Sequence, residues 1–428
     1  MIALPSFGSS SFKLMARGLV ELHRLIKEGR DDSPEGESVR DALDTPLHAL
    51  NRTEKERAEW LTVDLYSVSE PPAASTLKEM TPQAQQQLIE AYEAQQNQEW
   101  DRALELLRRW QEYISPALLS YMRGLIWGDA GYPEVAAMFY GHATELDPTN
   151  ANCKAIYMHA LEESNPHAAI KYAREVLADH ETQAPVVVTR AADILFNESR
   201  TASKAESAQL YRVLIPILER NLKKIEIDAE TASRASSYAM TAGLLGVCQE
   251  FLGNAGAAVN YYTHGLRESP NNDGLLVARG ILQYGRSPLA ITDFEQAERL
   301  GSTLVWPYLF LAHHCLITNQ FEQCRVMCER GLRQTGSNSA KSQLEEWRAI
   351  SQAALGFPPD AVRTAFEAAV RWDSSNESAV RNREVYEASL RTPHSRPNST
   401  WEKKSEAAIR QFGIVERRYQ SRDPVIAG

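Results

Sequence analysis

The sequence predicts an all-α protein in which antiparallel helix pairs are repeated along the chain. Three observations carry this. One spacing of small and large residues recurs in copies opening at Ala103, Ala136, Ala258, Ala290, Cys324 and Val362. Almost nothing between Thr81 and Leu390 alternates with the period of two that a half-buried strand requires. Helix start and stop signals are frequent, and the turns between them are short.

The bulk properties agree. A chain of 428 residues exceeds one ordinary compact core, so two or three domains or one extended array are expected. A hydrophobic share of 43% and a charged share of 24% are those of a soluble globular protein. A formal net charge of -10 argues against general nucleic-acid binding, which needs Lys and Arg to neutralise phosphates. No apolar run approaches the roughly 18 residues of a membrane helix. Lys13, Arg17, Glu21 and Arg24 break up the N-terminal stretch, so no secretory signal is expected. Five cysteines, Cys153, Cys248, Cys315, Cys324 and Cys328, form an odd and sparse set that fits reduced thiols and a cytoplasmic location. The Asn-x-Ser/Thr matches at Asn51, Asn197, Asn376 and Asn398 are then chance.

Punctuation divides the chain into a short-helix module (1–75), a repeat array (76–390) and a linker with a final helix and tail (391–428). In the first region Phe12, Met15, Leu19, Leu22 and Ile26 form an apolar stripe stopped at Gly29. Ser33-Pro34 and Thr45-Pro46 both read as helix starts, and Thr53 to Glu56 reads as a capping box. The linkers are Pro71-Pro72-Ala73-Ala74-Ser75 and Arg391 to Asn398. A last helix is expected to begin near Thr400 or Trp401 and to continue past Gly413, before a disordered end.

The repeat is explicit in Ala136, Tyr140, Ala143 and Pro148, which Ala258, Tyr262, Gly265 and Pro270 reproduce without a shift. Ala290, Phe294 and Ala297 follow, as do Cys324, Cys328 and Gly331, then Val362, Phe366 and Ala369; Ala103, Leu107 and Trp110 give a degenerate copy. Twelve residues before the opening residue lies a mid-helix position: Gly124, Gly246 and Ala312, with Ala91 and Ile350 in weaker copies. Close approach of two helices needs small residues face to face, with a large one filling the adjacent space. Gly253-Asn254 and Asn319-Gln320 supply the intervening turns. Between 165 and 229 the pattern is irregular. Asn165-Pro166-His167 marks a short turn before Ala169 and Ala173, and long helices are expected over Ser203 to Lys223 and Ala229 to Phe251.

These residues resemble the tetratricopeptide repeat, with Leu245-Gly246 and Leu311-Ala312 matching its Leu-Gly pair. The resemblance covers about 310 residues. It implies a right-handed α-solenoid of about eight helix pairs, with helical extensions at both ends. The N-terminal run from Glu21 to Ile26, with Asp32-Ser33-Pro34, Arg40-Asp41 and Asp64 to Ser67, resembles a short leader found ahead of unrelated domains in bacterial proteins. That likeness implies a bacterial, modular protein.

The first helix of each pair is expected to line a concave groove. Its lining would be Leu88, Tyr92, Tyr121, Leu125, Gly243, Val247, Val277, Ile281, Leu309, His313, Trp347 and Ser351, with Phe251 and Trp306 nearby. Such an apolar, aromatic surface suits an apolar helix or an extended segment of a protein partner. A terminal segment of the same chain would serve equally. A clamp for a C-terminal carboxylate would need paired Lys and Asn; Tyr, Leu, Val and Ile stand there instead, and only Lys154 fits by type. Hence the expected function is that of a protein-interaction scaffold with no catalytic role and no cofactor.

Two alternatives stand beside it. His313 with Cys315, Cys324 and Cys328 has the residue types of a zinc site and would make a metal-dependent sensor or enzyme. Free Cys also behaves as a small buried hydrophobe, and no Cys-x2-Cys knuckle is present. A transcription-linked regulator would need a basic recognition helix, whereas the N-terminal region is mixed in charge. No phosphate-binding Gly loop, metalloprotease or nucleophile-elbow motif occurs. Carboxylate runs such as Glu345-Glu346, and the basic residues Arg410, Arg417, Arg418 and Arg422, read as solvated faces.

Overall fold

The computed structural model describes residues 7–69, 77–227, 234–391 and 401–419, with side chains of the last stretch to 416. The linker positions Pro71 to Ser75 and Thr392 to Asn398, the first residues of the helix expected from Ala229, the Arg417 and Arg418 side chains and everything beyond 419 lie outside the described residues. Every regular element among the described residues is helical apart from one isolated bridge, Leu304 to Thr335.

Contacts divide the chain into two compact units, Met1–Leu195 and Phe196–Gly428. The first holds α1 (Ser10–Lys27), α2 (Pro34–Ala49) and α3 (Arg52–Ser69), then the pairs α4 (Pro82–Gln96) with α5 (Trp100–Trp110), α6 (Pro116–Asp129) with α7 (Pro133–Leu146), and α8 (Ala151–Ser164) with α9 (Pro166–Ala178). The division falls inside α10 (Pro185–Ser199). The second unit continues with α11 (Lys204–Ile227) and the pairs α12 (Arg234–Phe251) with α13 (Ala255–Glu268), α14 (Asp273–Gln283) with α15 (Leu289–Arg299), α16 (Val305–Ile317) with α17 (Phe321–Gly331), and α18 (Asn338–Ala354) with α19 (Pro359–Trp372). It ends with α20 (Glu377–Arg391) and α21 (Glu406–Tyr419).

Local chemistry sets the helix ends. The hydroxyls of Ser33, Thr81 and Ser115 accept from the backbone N–H three residues on, each ahead of a proline that needs no donor there. Asn165 ends α8 and caps α9 at once, which is the short turn the sequence predicts. Gly131 and Gly253 turn the chain between paired helices with φ of 88° and 87°. Two expected starts are displaced. Pro46 lies inside α2, because no residue before it stops the helix. The capping box is Asn51 with Glu54, two residues earlier than Thr53 with Glu56: Glu54 N–H donates to Asn51 Oδ1 at 3.0 Å and Asn51 N–H to Glu54 Oε2 at 3.1 Å. Glu54 also accepts from Ser9 N–H at 2.7 Å, which fixes the start of α1.

The repeat is a packing device. A Cβ added at Gly124 would lie 2.6 Å from the Tyr140 ring, and one at Gly246 would lie 2.6 Å from Cδ1 of Tyr262. Ala136, Ala143, Ala258, Ala290, Ala312, Cys324 and Cys328 are buried where paired helices meet. In the pair α14 with α15 the glycine facing Phe294 is Gly280. It stands two residues closer to its aromatic than Gly124 and Gly246 stand to theirs, and the fixed spacing therefore missed it. The helices are thus paired in the tetratricopeptide manner.

In the first unit α1 and α3 pack on α7, and Phe7, Phe12, Leu61 and Leu65 share one core with Leu104, Trp127 and Phe139. Phe7 and Phe12 meet Trp127 and Tyr132 edge-on at 5.6 and 5.5 Å. Asp64 of α3 is buried against Arg123 of α6 at 2.7 Å and Arg108 of α5 at 3.0 Å.

Candidate interaction groove of the second unit

The residues from Trp401 to Glu416 lie across α14, α16 and α18, the first helices of three successive pairs of the second unit. The segment enters extended and then becomes α21, with Ser405 Oγ accepting from Ala408 N–H at 3.2 Å as its cap. The final helix therefore starts later than Thr400 or Trp401, because the backbone before Ser405 is committed to other partners. It runs from the last helices back toward α14.

Each contact has a distinct chemistry. Trp401 is buried with its ring 6.3 Å from Phe366. Asn382 of α20 reads the backbone of Glu402 twice: its Oδ1 accepts from Glu402 N–H at 2.8 Å and its Nδ2 donates to Glu402 O at 3.1 Å. The Glu402 carboxylate pairs with Arg381 at 2.6 and 3.0 Å. Lys403 Nζ donates to Leu316 O and Asn319 Oδ1, both at 3.0 Å, at the C-terminal end of α16. Lys404 Nζ donates to Gln343 Oε1 at 2.8 Å. Arg410 Nη1 donates to Tyr284 O at 2.6 Å, where α14 ends. Ile409 is fully buried, Phe412 lies 6.3 Å from Trp306, and Gly413 sits so close to Phe310 and Ile281 that a Cβ would come 2.7 Å from the Phe310 ring.

His313 fixes the middle of the segment. Its Nε2 lies 2.8 Å from Lys404 O and its Nδ1 2.7 Å from Tyr284 Oη. A carbonyl only accepts, so the proton sits on Nε2 and the tyrosine hydroxyl donates to Nδ1. Burial disfavours the cation and lowers the pKa to about 4. In the unfolded chain the same ring takes a proton near 6.5. Stability is therefore retained above about pH 6.5 and lost as pH falls toward 4. We expect the second unit to be about 1–2 kcal/mol less stable at pH 5 than at pH 7 through this residue, and His313→Gln to shrink that difference. NMR titration of the imidazole checks the origin: a pKa near the unperturbed value would refute it.

Beneath the segment lies a buried carboxylate. Glu346 accepts from Asn376 Nδ2 (3.1 Å), Ser378 Oγ (2.9 Å), Gln343 Nε2 (3.3 Å) and Asn382 Nδ2 (2.8 Å). Burial raises its pKa against the opposing pull of those donors and of Lys404. Burial lowers the pKa of Lys404, which Glu346 and Glu402 counter. The expected solvated face at Glu345-Glu346 is thus corrected: both side chains are buried. Asn376 and Ser378, the ends of a glycosylation-like match, are partners of Glu346. Arg410 is likewise engaged rather than solvated.

The groove residues named from sequence fall into three groups. Val277, Ile281, Trp306, Leu309, His313, Trp347 and Ser351 are all buried, and of these Ile281, Trp306 and His313 touch the segment. Gly243 is buried and Val247 half-buried, while Phe251 meets Tyr211 of α11 edge-on at 4.8 Å. In the first unit Leu88, Tyr121 and Leu125 are half-buried, Tyr92 is 48% exposed, and Lys154 donates to Gln183 at 3.1 Å. Sequence reasoning missed Asn382, Gln343, Tyr284, Trp401, Lys403 and Arg410. Its one available signal was a lone Trp heading a Lys-Lys pair after a linker.

The thiols form no ligand set. Cys324 and Cys328 hydrogen-bond each other, and burial pushes the Cys328 thiol well up and Cys315 to about 11. Both nitrogens of His313 have other partners. Among the described residues no three His, Cys, Asp or Glu side chains are grouped to hold a metal. No helix among the described residues is long and apolar enough to cross a membrane.

No protein-family model matches the chain, and no curated protein matches it. Among solved structures it is similar to the C-terminal part of a TPR repeat-containing protein from Cytophaga hutchinsonii, at 12% identity and TM-score 0.36 over 68% of this chain and 98% of that one. It is similar to the TPR2AB-domain:pHSP90 complex of yeast Sti1 at 14% identity and TM-score 0.22, over 67% and 98%. Yeast Tom70 matches at 12% identity and TM-score 0.23, over 81% and 98%. The tetratricopeptide-like character of the chain stands on the packing of its own helix pairs.

Proposed function

We propose that this chain is a protein-interaction scaffold whose second unit holds an extended-then-helical peptide segment in its groove. Residues 401–416 occupy that groove in cis and are exchanged for a partner's segment. One observation carries the reading. The segment is held through its main chain, by Asn382 at both backbone groups of Glu402 and by His313 at Lys404 O. Main-chain hydrogen bonds secure affinity without demanding one sequence, and adjacent apolar slots add selectivity. The reading assigns binding and no catalytic residue.

The test uses the full chain with a protease site placed within 392–400. After cleavage, a fluorescein-labelled peptide of residues 401–416 should bind saturably as the resident piece leaves. Cutting the tether removes the high effective concentration that would otherwise mask exchange. Asn382→Ala should weaken the peptide by roughly tenfold, the size expected for two lost hydrogen bonds. A cleaved chain that keeps its helical circular dichroism yet never binds the peptide would refute the reading.

A further inference from the structure

The way the segment is charged narrows what the groove accepts. We propose that the groove selects basic segments carrying two cations seven residues apart, which complete the C-terminal ends of two successive first helices, α14 and α16. The inference rests on the groove reading above and names the class of segment that the groove takes.

The last carbonyls of a helix have no partner inside the helix, and the dipole makes that end negative. Lys403 meets Leu316 O at the end of α16, and Arg410 meets Tyr284 O at the end of α14. These two helices open neighbouring pairs, so equivalent ends recur along the groove wall. One extended stretch followed by one helical turn carries the chain from the first end to the second. Lys403 also reaches Asn319 Oδ1, whose residue turns the chain after α16 with φ of 59°. Lys404 adds a third cation, bonded to Gln343 and facing the buried Glu346. Arg286 opposes Arg410, and Glu406 on the segment offsets it. The wall thus presents carbonyl oxygens and amide acceptors to the segment, and its Arg381 is taken by Glu402. An acidic peptide tail would set its carboxylates against these carbonyl oxygens and leave Tyr284 O without the donor that Arg410 supplies.

Apolar spacing fixes the register of the cations. Ile409 and Gly413 are one helical turn apart on the face packed against Ile281 and Phe310, and Phe412 meets Trp306. The Gly413 position admits no side chain without displacing Phe310. An incoming segment would therefore present an aromatic, two successive basic residues, an Ile-Arg pair, and an aromatic followed by glycine, at the spacing of Trp401, Lys403, Lys404, Ile409, Arg410, Phe412 and Gly413.

The cleaved full-length chain tests this with four labelled peptides. The first has the native sequence of residues 401–416. The second carries Lys403→Gln with Arg410→Gln. The third carries Lys403→Glu with Arg410→Glu. The fourth exchanges Arg410 with its exposed neighbour (Arg410→Gln, Gln411→Arg), which leaves composition and net charge unchanged. We expect the fourth to bind about fivefold more weakly than the first, the second more than about tenfold more weakly, and the third on the order of a hundredfold or more. Native-like binding of the fourth peptide would overturn the inference, because it would reduce the cations to general attraction by an acidic protein. Equal binding of all four would overturn it and leave the groove reading intact. Binding of none would remove both.

Discussion

Asp64→Ala is expected to destabilise the first unit by about 3–5 kcal/mol, the cost of stranding a buried charge. Arg123 is only 4% exposed and Asp64 only 1%. Their 2.7 Å approach through Oδ1 is an ion pair without hydrogen-bond alignment; Arg108 supplies the aligned bond to Oδ2 at 3.0 Å. With the carboxylate gone, Arg123 keeps Ser67 Oγ at 3.1 Å and little else of comparable strength. Burial already lowers its pKa, and Asp64 is the charge that opposes that shift. The loss falls at the joint between α3 and α6, so amide exchange should quicken there first. Arg108 is partly exposed, stacked over Trp60, and can turn to water, which places it outside the penalty. Asp101→Ala offers a contrast. It also removes an arginine's partner, Arg57, but Asp101 is 42% exposed, and a cost below about 1 kcal/mol is expected. Chemical denaturation monitored by tryptophan fluorescence, with hydrogen exchange to localise the loss, separates the two. If the two variants prove equally mild, burial of the Asp64 pair does not have the energetic meaning given to it.

What was legible in the sequence was short-range. Ser33-Pro34, Asn165-Pro166 and Gly253-Asn254 specify helix ends through hydrogen bonds within a few residues, and the structure uses each as read. The small-to-large spacing was legible for the same reason, since two paired helices lie within about one repeat of each other. Thr45-Pro46 shows the limit of such signals. It resembles Ser33-Pro34 in type, yet a start needs a preceding stop, and Arg40 to Leu43 contain none. Glu346 fails differently. A carboxylate in a helix reads as solvated unless its donors are known, and three of them, Asn376, Ser378 and Asn382, come from another helix and the turn before it. The groove contacts span still more of the chain: Arg410 meets a carbonyl 126 residues away. Periodicity could name Ile281, Trp306 and His313 as facing inward. It could not name what would lie upon them.

Gly246→Ala should cost about 1–3 kcal/mol, and the way that cost is relieved would reveal the rule behind the repeat. A Cβ at this position meets the edge of the fully buried Tyr262 ring, whose hydroxyl is tied to Glu250 at 3.0 Å. The ring has no free volume to retreat into, so helices α12 and α13 must separate. The other copies show how the chain manages the same contact. Where the aromatic is kept at Tyr140 and Phe294, the facing residue is Gly124 or Gly280. Where the small residue grows to Ala312 or Ala91, its partner in register shrinks to Cys328 or Leu107. Only Ile350 with Phe366 enlarges both, in the pair that abuts α20. Volume is thus shared between two positions instead of being fixed at each. Tyr262→Leu alone leaves a cavity and frees Glu250 of one donor, and it should itself destabilise by about 2 kcal/mol or more. The double variant should nevertheless be more stable than the sum of the two single losses by about 1 kcal/mol or more, because the new methyl enters the space that the ring vacates. Strict additivity in a double-mutant cycle would mean that the glycine is retained for some reason other than the ring it faces.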